Sequence, residues 1–240
     1  MRVLHFLGRS LPETWETAVS ELWFSGEIVE TEYGEKAKEA MAVIEVAEPF
    51  AEPRFHLKGI VGKVSEYIAE VVEGVHDAMV GQYGYTYHER LFSYASPLGP
   101  VNQIERIVEK LSKAYYTRRA IAVTWQPWRD LESEHPPCLV YLWFHSSNGV
   151  NLNVHAHMRS NDALKAAFMN MLAFTALQQR VAERLGMRVG KYIHTASSFH
   201  IYERDWKHAE HIARAVKEGN SGGWHLTTQQ YLKLFERGNR

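Results

Sequence analysis

The sequence holds little of what would tie a fold together covalently or through a metal. Its 240 residues include a single cysteine, Cys138, so no internal disulfide can form and a reducing, cytoplasmic setting is expected. An excess of charge is missing too: 27 lysines and arginines face 28 aspartates and glutamates, a formal net charge of −1. That balance excludes a global DNA-binding footprint, and a 45% hydrophobic share argues against a disordered chain. No run approaches the roughly 20 apolar residues that span a bilayer. The opening residues 1–7 are too short for a signal peptide and read as a first strand. Nucleotide-cradling glycine patterns, internal repeats and low-complexity linkers are lacking, which leaves one domain over residues 1–240. Histidine is abundant, at thirteen, but the only close pair, His155 and His157, has strand spacing without further ligands, so no metal is expected.

What is present is a mixture of helix and strand signals. Ser10-Leu11-Pro12-Glu13 matches a capping box, and Trp15, Ala18, Val19, Leu22 and Trp23 then recur at helical spacing up to Gly26. Residues 27–33 and 40–46 read as strands around a turn at Gly34, and 64–75 as a helix carrying Glu66, Glu70 and Glu73. Residues 83–90 read as a polar-aromatic loop, 100–113 as an amphipathic helix, and 118–125 as a strand that begins with Arg118 and Arg119. The breaker-poor stretch 162–185 predicts a central buried helix. A strand over 188–202 and helices over 206–217 and 227–237 complete the chain. Without a regular βαβ rhythm, the expected class is α+β: a single domain with a mixed β-sheet packed by helices.

The stretch from Pro136 to Asp162 carries the chemistry. Residues 140–144 and 150–156 are β-branched and aromatic runs around Asn148-Gly149, a hairpin signal. Such a hairpin brings the Cys138 thiol, at the start of one strand, near the Arg159 guanidinium at the end of the next. A thiol and an arginine in one pocket suit covalent chemistry on an anionic substrate, with the cation lowering the thiol pKa. Singly, each residue has an ordinary reading: Cys138 as core, Arg118 and Arg119 as solvated charges, Arg159 and Asp162 as an ion pair or helix cap, Asn170 as a satisfied amide.

In combination, the sequence resembles the thymidylate synthase family, chiefly between Tyr83 and Tyr202. Four blocks carry the resemblance in order: Tyr115-Tyr116-Thr117-Arg118-Arg119-Ala120-Ile121; Pro136-Pro137-Cys138; Arg159-Ser160-Asn161-Asp162 with Asn170 eight residues on; and His200-Ile201-Tyr202. It implies that Cys138 adds to C6 of dUMP, that Asn170 reads the O4/N3 edge, and that Asp162 orders the hydrogen bonds around the base. It further implies that His200 and Tyr202 hold the sugar hydroxyl and that Arg159 and Ser160 grip the phosphate. Arg118 and Arg119 would reach the phosphate from the partner in a sheet-to-sheet homodimer. Glu66, with Glu70 as its rival, would handle protons, and Tyr87 would help remove the C5 proton. The implied co-substrate is 5,10-methylenetetrahydrofolate, the implied product dTMP, with no metal. Two alternatives stand beside this: a hydroxymethylase of dUMP, dCMP or CMP, and a non-catalytic nucleotide- or RNA-binding module using Arg118, Arg119 and residues 83–87. Leu139 after the cysteine resembles the short, archaeal-type members. Residues 31–36 replace the family's N-terminal phosphate loop, so a fourth phosphate cation is either missing or is Lys36 or Lys38. Residues 235–240 lack the apolar tail that closes the long form.

Overall fold

Strict alternation of side chains builds the central sheet. Strand β7 (Asn151–Asp162) buries Leu152, Val154, Ala156 and Met158 and leaves the residues between them half-buried. Strand β3 (Lys36–Val46) does the same from Ala40 through Ala42, Ile44 and Val46, as a period of two residues requires. Between them lies β8 (Arg188–Tyr202), antiparallel to β3 and parallel to β7. The remaining strands are β1 (Val3–Gly8), β2 (Glu27–Glu30), β5 (Ile121–Val123) and β6 (Leu139–His145). The seven strands run β1-β3-β8-β7-β6-β5, with β2 also paired to β3. A separate two-stranded sheet joins β4 (Phe55–His56) to β9 (His225–Leu226). The computed structural model describes residues 1–236.

Helices cover one face of the sheet around one hydrophobic core. The first, Leu11–Ser25, is started as expected by the Glu13 carboxylate, which accepts from the backbone N–H of Arg9 and Ser10. Its Trp15 is fully buried against Phe168 and donates from Nε1 to the Ala163 carbonyl at 2.8 Å. The helix Ala167–Arg184 is buried along nearly its whole length. The helices Val64–Glu73 and Trp206–Lys217 pack against their neighbours through narrower apolar stripes. Gly74, at φ +72°, ends the former in a conformation that favours glycine.

Three expectations change. The central helix starts at Ala167 rather than at 162, because β7 continues to Asp162 by pairing Ser160 with Ser198 and Asp162 with His200. Residues 83–90 are not all loop: Thr86 caps a helix, Tyr87–Phe92, its Oγ1 accepting from the Glu89 N–H at 3.0 Å. The last helix is four residues, Thr228–Tyr231, continued by a wider turn to Glu236. Arg237, assigned to it from sequence, and the rest of the 235–240 tail beyond Glu236 lie outside the described residues. The hairpin holds, with Gly149 in the turn at φ +70°. Its pairing shifts between Leu139 and Tyr141, a bulge directly beside Cys138, and β3 and β8 shift similarly near Ala40. Among the described residues, no helix is long and apolar enough to cross a membrane.

Candidate active site

The bulge turns Cys138 into a cavity of about 670 Å³ that opens where β6, β7 and β8 meet the helices. Cys138, Arg159, Ser160, Asp162, Asn170, His200, Tyr202 and Tyr87 all line it. These residues come from five segments spread over more than a hundred positions, and the fold brings them together.

Strand pairing fixes the thiol against the arginine. The Arg159 N–H donates to the Cys138 carbonyl at 2.8 Å, and Arg159 Nη2 stands 3.9 Å from Cys138 Sγ. The guanidinium also donates to the carbonyls of Pro137, at 3.0 Å, and Pro136, at 2.9 Å. Here one expectation is corrected. Burial pushes the Cys138 thiol up and outweighs the lowering by Arg159, because the cation is shared with two backbone acceptors while the sulfur is largely removed from water. The free protein therefore stores a thiol rather than a thiolate.

Three tyrosines surround the sulfur. Tyr87 is buried; its hydroxyl accepts from the Leu139 N–H at 3.3 Å, and its ring lies 5.7 Å from that of Tyr85. Burial and the neighbouring Tyr85, Tyr67 and Cys138 raise its pKa well above the usual phenol value, so Tyr87 stands as a neutral hydroxyl. Its helix is pinned by Arg90, buried and paired bidentately to Asp130 at 2.8 Å on both arms. Tyr67, on the helix Val64–Glu73, donates to Asn170 Oδ1 at 2.5 Å. Tyr67 is not legible as a site residue from sequence, and Tyr85 is marked there only as part of the alternative binding surface over residues 83–87.

Of the two candidate helix glutamates, Glu70 is the one at the cavity. It lines the wall and accepts from His76 Nδ1 at 2.9 Å. Glu66 is 55% exposed, stays off the cavity lining and meets only the far side of His76, 3.8 Å away. Glu66 and Glu70 share one side of the helix, four residues apart; the one lying a turn further along the axis, Glu70, is the one that reaches the wall.

Asp162 does what a strand-to-helix turn asks of it, its Oδ1 accepting from the N–H of Leu164 and Lys165 at 2.9 Å each. Burial raises its carboxyl pKa despite those bonds, and burial holds His200, its cross-strand partner, toward the neutral form. His200 also meets the ring of Tyr202 edge-on at 4.7 Å. Arg118 and Arg119 are exposed before β5 and line no part of this chain's cavity. Neither lysine considered as a fourth cation lines it either: Lys38 donates to the Trp23 carbonyl, and Lys36 pairs with Glu30. Residues 31–36 instead contribute Glu32 and Tyr33, and the opposite lip contributes Glu134 and His135.

A second polar cluster lies elsewhere. The Glu16 carboxylate receives His56 Nε2 at 3.1 Å and Ser221 Oγ at 3.0 Å, and stands 3.0 Å from His225 Nε2. Ligand atoms of Glu16, His56 and His225 approach closely enough to suit a metal. However, His56 Nδ1 accepts the Lys58 N–H at 3.1 Å, so the proton of a neutral ring sits on Nε2 and the arrangement is a hydrogen-bonded clasp.

The family model for thymidylate synthase matches residues 48–233. The chain belongs to the thymidylate synthase family. Among curated relatives, one from Methanopyrus kandleri is 37% identical over 204 residues, 85% of this chain and 95% of its own length. Another, from Methanocaldococcus jannaschii, is 34% identical over 211 residues, 82% of this chain and 90% of its own. Both bear the name "Putative thymidylate synthase".

Proposed function

We propose that the protein transfers a one-carbon unit from 5,10-methylenetetrahydrofolate to C5 of dUMP, giving dTMP and dihydrofolate. The observation that carries this reading is the convergence of Cys138, Arg159 and Asn170 on one cavity. The Cys138 thiol gives up its proton on attack and adds at C6, which makes C5 nucleophilic; C5 takes the folate carbon, its proton leaves to a base, and the C6–S bond breaks to return the thiolate. Because burial holds the free thiol up, a bound anionic nucleotide does not help ionise it; Arg159 and a nearby base must. Glu70 is the carboxylate placed for proton transfer, and Tyr87 acts as a neutral hydroxyl near the reacting carbon. His200 and Tyr202 hold the sugar, and Asp162 keeps the turn beneath the base in place. The folate supplies both the carbon and the hydride. Space beside the tyrosines suits a second flat ring, in a cavity of ordinary ligand size.

The phosphate requires more cations than Arg159, and the reading assigns Arg118 and Arg119 of a second copy to it. The sheet face opposite the helices supports such a homodimer: Tyr141, Trp143, His155 and His157 are half-buried there, with Tyr141 stacked on His157 at 5.2 Å. A cytoplasmic enzyme without a metal completes the proposal. The non-catalytic module is weaker, since Tyr85 and Tyr87 face Cys138 rather than forming one surface with Arg118 and Arg119. The deciding experiment is mass spectrometry of the product from dUMP and methylenetetrahydrofolate. A methyl product supports the proposal, a hydroxymethyl product replaces it with the water-capturing reaction, and unaltered dUMP overturns both.

A further inference from the structure

Asn170 is 3% exposed in the first turn of its helix, yet it lines the cavity. An amide in such a place can present either of two faces to a ligand. Its oxygen accepts, its amino group donates, and a half-turn of the side chain exchanges them. A residue outside every sequence block decides between the two here. The Tyr67 hydroxyl donates to Asn170 Oδ1 at 2.5 Å, from a helix 103 positions earlier in the chain. With Oδ1 engaged, the amino group is left for the cavity. The hydroxyl keeps its proton at neutral pH, because burial, together with Glu70, Tyr85 and Cys138, drives its pKa upward.

We propose that Tyr67 sets the base specificity of the site by locking the Asn170 amide with its amino group toward the ligand, so that a pyrimidine with a 4-oxo group is accepted and one with a 4-amino group is refused. The inference rests on reading the cavity as a pyrimidine nucleotide site. A 4-oxo oxygen accepts from Asn170 Nδ2, and the second lone pair of Oδ1 remains for the N3–H of uracil. A 4-amino group would set donor against donor and leave both without a partner after desolvation, a penalty worth roughly tenfold to a hundredfold in selectivity. Tyr67 acts through Asn170 and is a positioning residue.

The test compares dUMP with dCMP, in binding and in turnover with methylenetetrahydrofolate. Four proteins are needed: the wild type, Tyr67→Phe, Asn170→Asp and the double variant. Tyr67→Phe keeps the ring and removes only the donor. It should lower the dUMP-over-dCMP preference by about tenfold or more, while 2-deoxyribose 5-phosphate, which has no base, binds as it does to the wild type. The two substitutions should also be non-additive, because they act on one unit. An unchanged preference in a folded Tyr67→Phe protein, or the same Tyr67→Phe effect with and without Asn170→Asp, overturns the inference. If Tyr67→Phe does not fold, the wild type decides: its Asn170 side-chain NH₂ resonances should move with dUMP and not with dCMP, and an equal response to both overturns it. A wild type that neither binds nor converts dUMP refutes the functional reading instead, a result distinct from loss of selectivity.

Discussion

For the pyrimidine ring of the proposed substrate, one chain offers a thiol, an amide bonded to a tyrosine, two further phenols and a carboxylate, on elements locked by Arg90, Asp130 and Asp162. For the phosphate of the same nucleotide, that chain supplies Arg159, already bonded to two carbonyls, among Glu32, Glu134 and Asp162. The ring half is a preformed polar socket whose groups satisfy one another. The charge half, within one chain, is more acidic than basic. On the proposed reading, chemistry and charge recognition are separable: the first follows from folding one chain, the second from a second copy beside it.

The sharpest way to break this division is Cys138→Ser. Turnover should fall to background while dUMP binding stays within about tenfold, since the ring contacts and the phosphate contacts both remain. Substantial turnover would remove Cys138 from the chemistry. Next in size is Arg119→Ala, which should weaken dUMP binding by roughly tenfold to several hundredfold for the loss of one charge-assisted contact. Mixing this inactive protein at low dUMP with inactive Cys138→Ser, under subunit exchange, should restore roughly a quarter of wild-type sites. No recovery despite proven exchange would return the arginine to its own chain and end the division between halves.

A third test concerns the strand shared by the two halves. His194 is fully buried, takes the Tyr192 hydroxyl proton on Nδ1 at 2.8 Å and donates from Nε2 to Asn161 Oδ1 at 2.7 Å. Asn161 lies between Ser160 and Asp162. Burial, reinforced by His155 and His157, lowers the His194 pKa from 6.5 to about 3. The unfolded chain binds that proton first, so the stabilisation is complete above pH 6.5 and is lost as pH falls toward 3. The loss should be on the order of 4–5 kcal/mol over the window, and denaturant melts of His194→Gln should lack that slope. Identical pH profiles would show that this brace does not titrate. The smallest effect is expected from Thr86→Ala, about 1 kcal/mol from loss of the helix cap. Its activity should fall in kcat more than in dUMP affinity if the cap serves only the ring half; the reverse split would contradict the comparison.

Much of this was legible in the sequence where signals are local. Asn148-Gly149 announced the hairpin, and with it the meeting of Cys138 and Arg159; Ser10 and Glu13 announced the first helix. Where long-range pairing overrides local preference, the sequence misled. Alanine- and leucine-rich residues 162–166 suit a helix, but β8 recruits the end of β7 and delays it. Glu66 and Glu70 share one helix face, and only how far along that helix the cavity wall lies separates them. Tyr67 carries no local mark at all, because its meaning depends on an amide 103 residues away. The thiol's raised pKa was likewise hidden, since desolvation is a property of the assembled wall.

The Glu16 clasp has a bearing on the order in which the chain folds. Burial by itself would raise the Glu16 carboxyl, but the adjoining imidazoles of His225 and His56 bring it down to about 2. The first helix therefore carries a buried anion whose partner Ser221 is made 205 residues later. On the ribosome, Leu11–Ser25 can coil early, but seating Glu16 in its final surroundings before residues 221–225 emerge would strand a charge. The surroundings of Glu16 are therefore complete only once the β4–β9 ribbon, which carries His56 and His225, has formed.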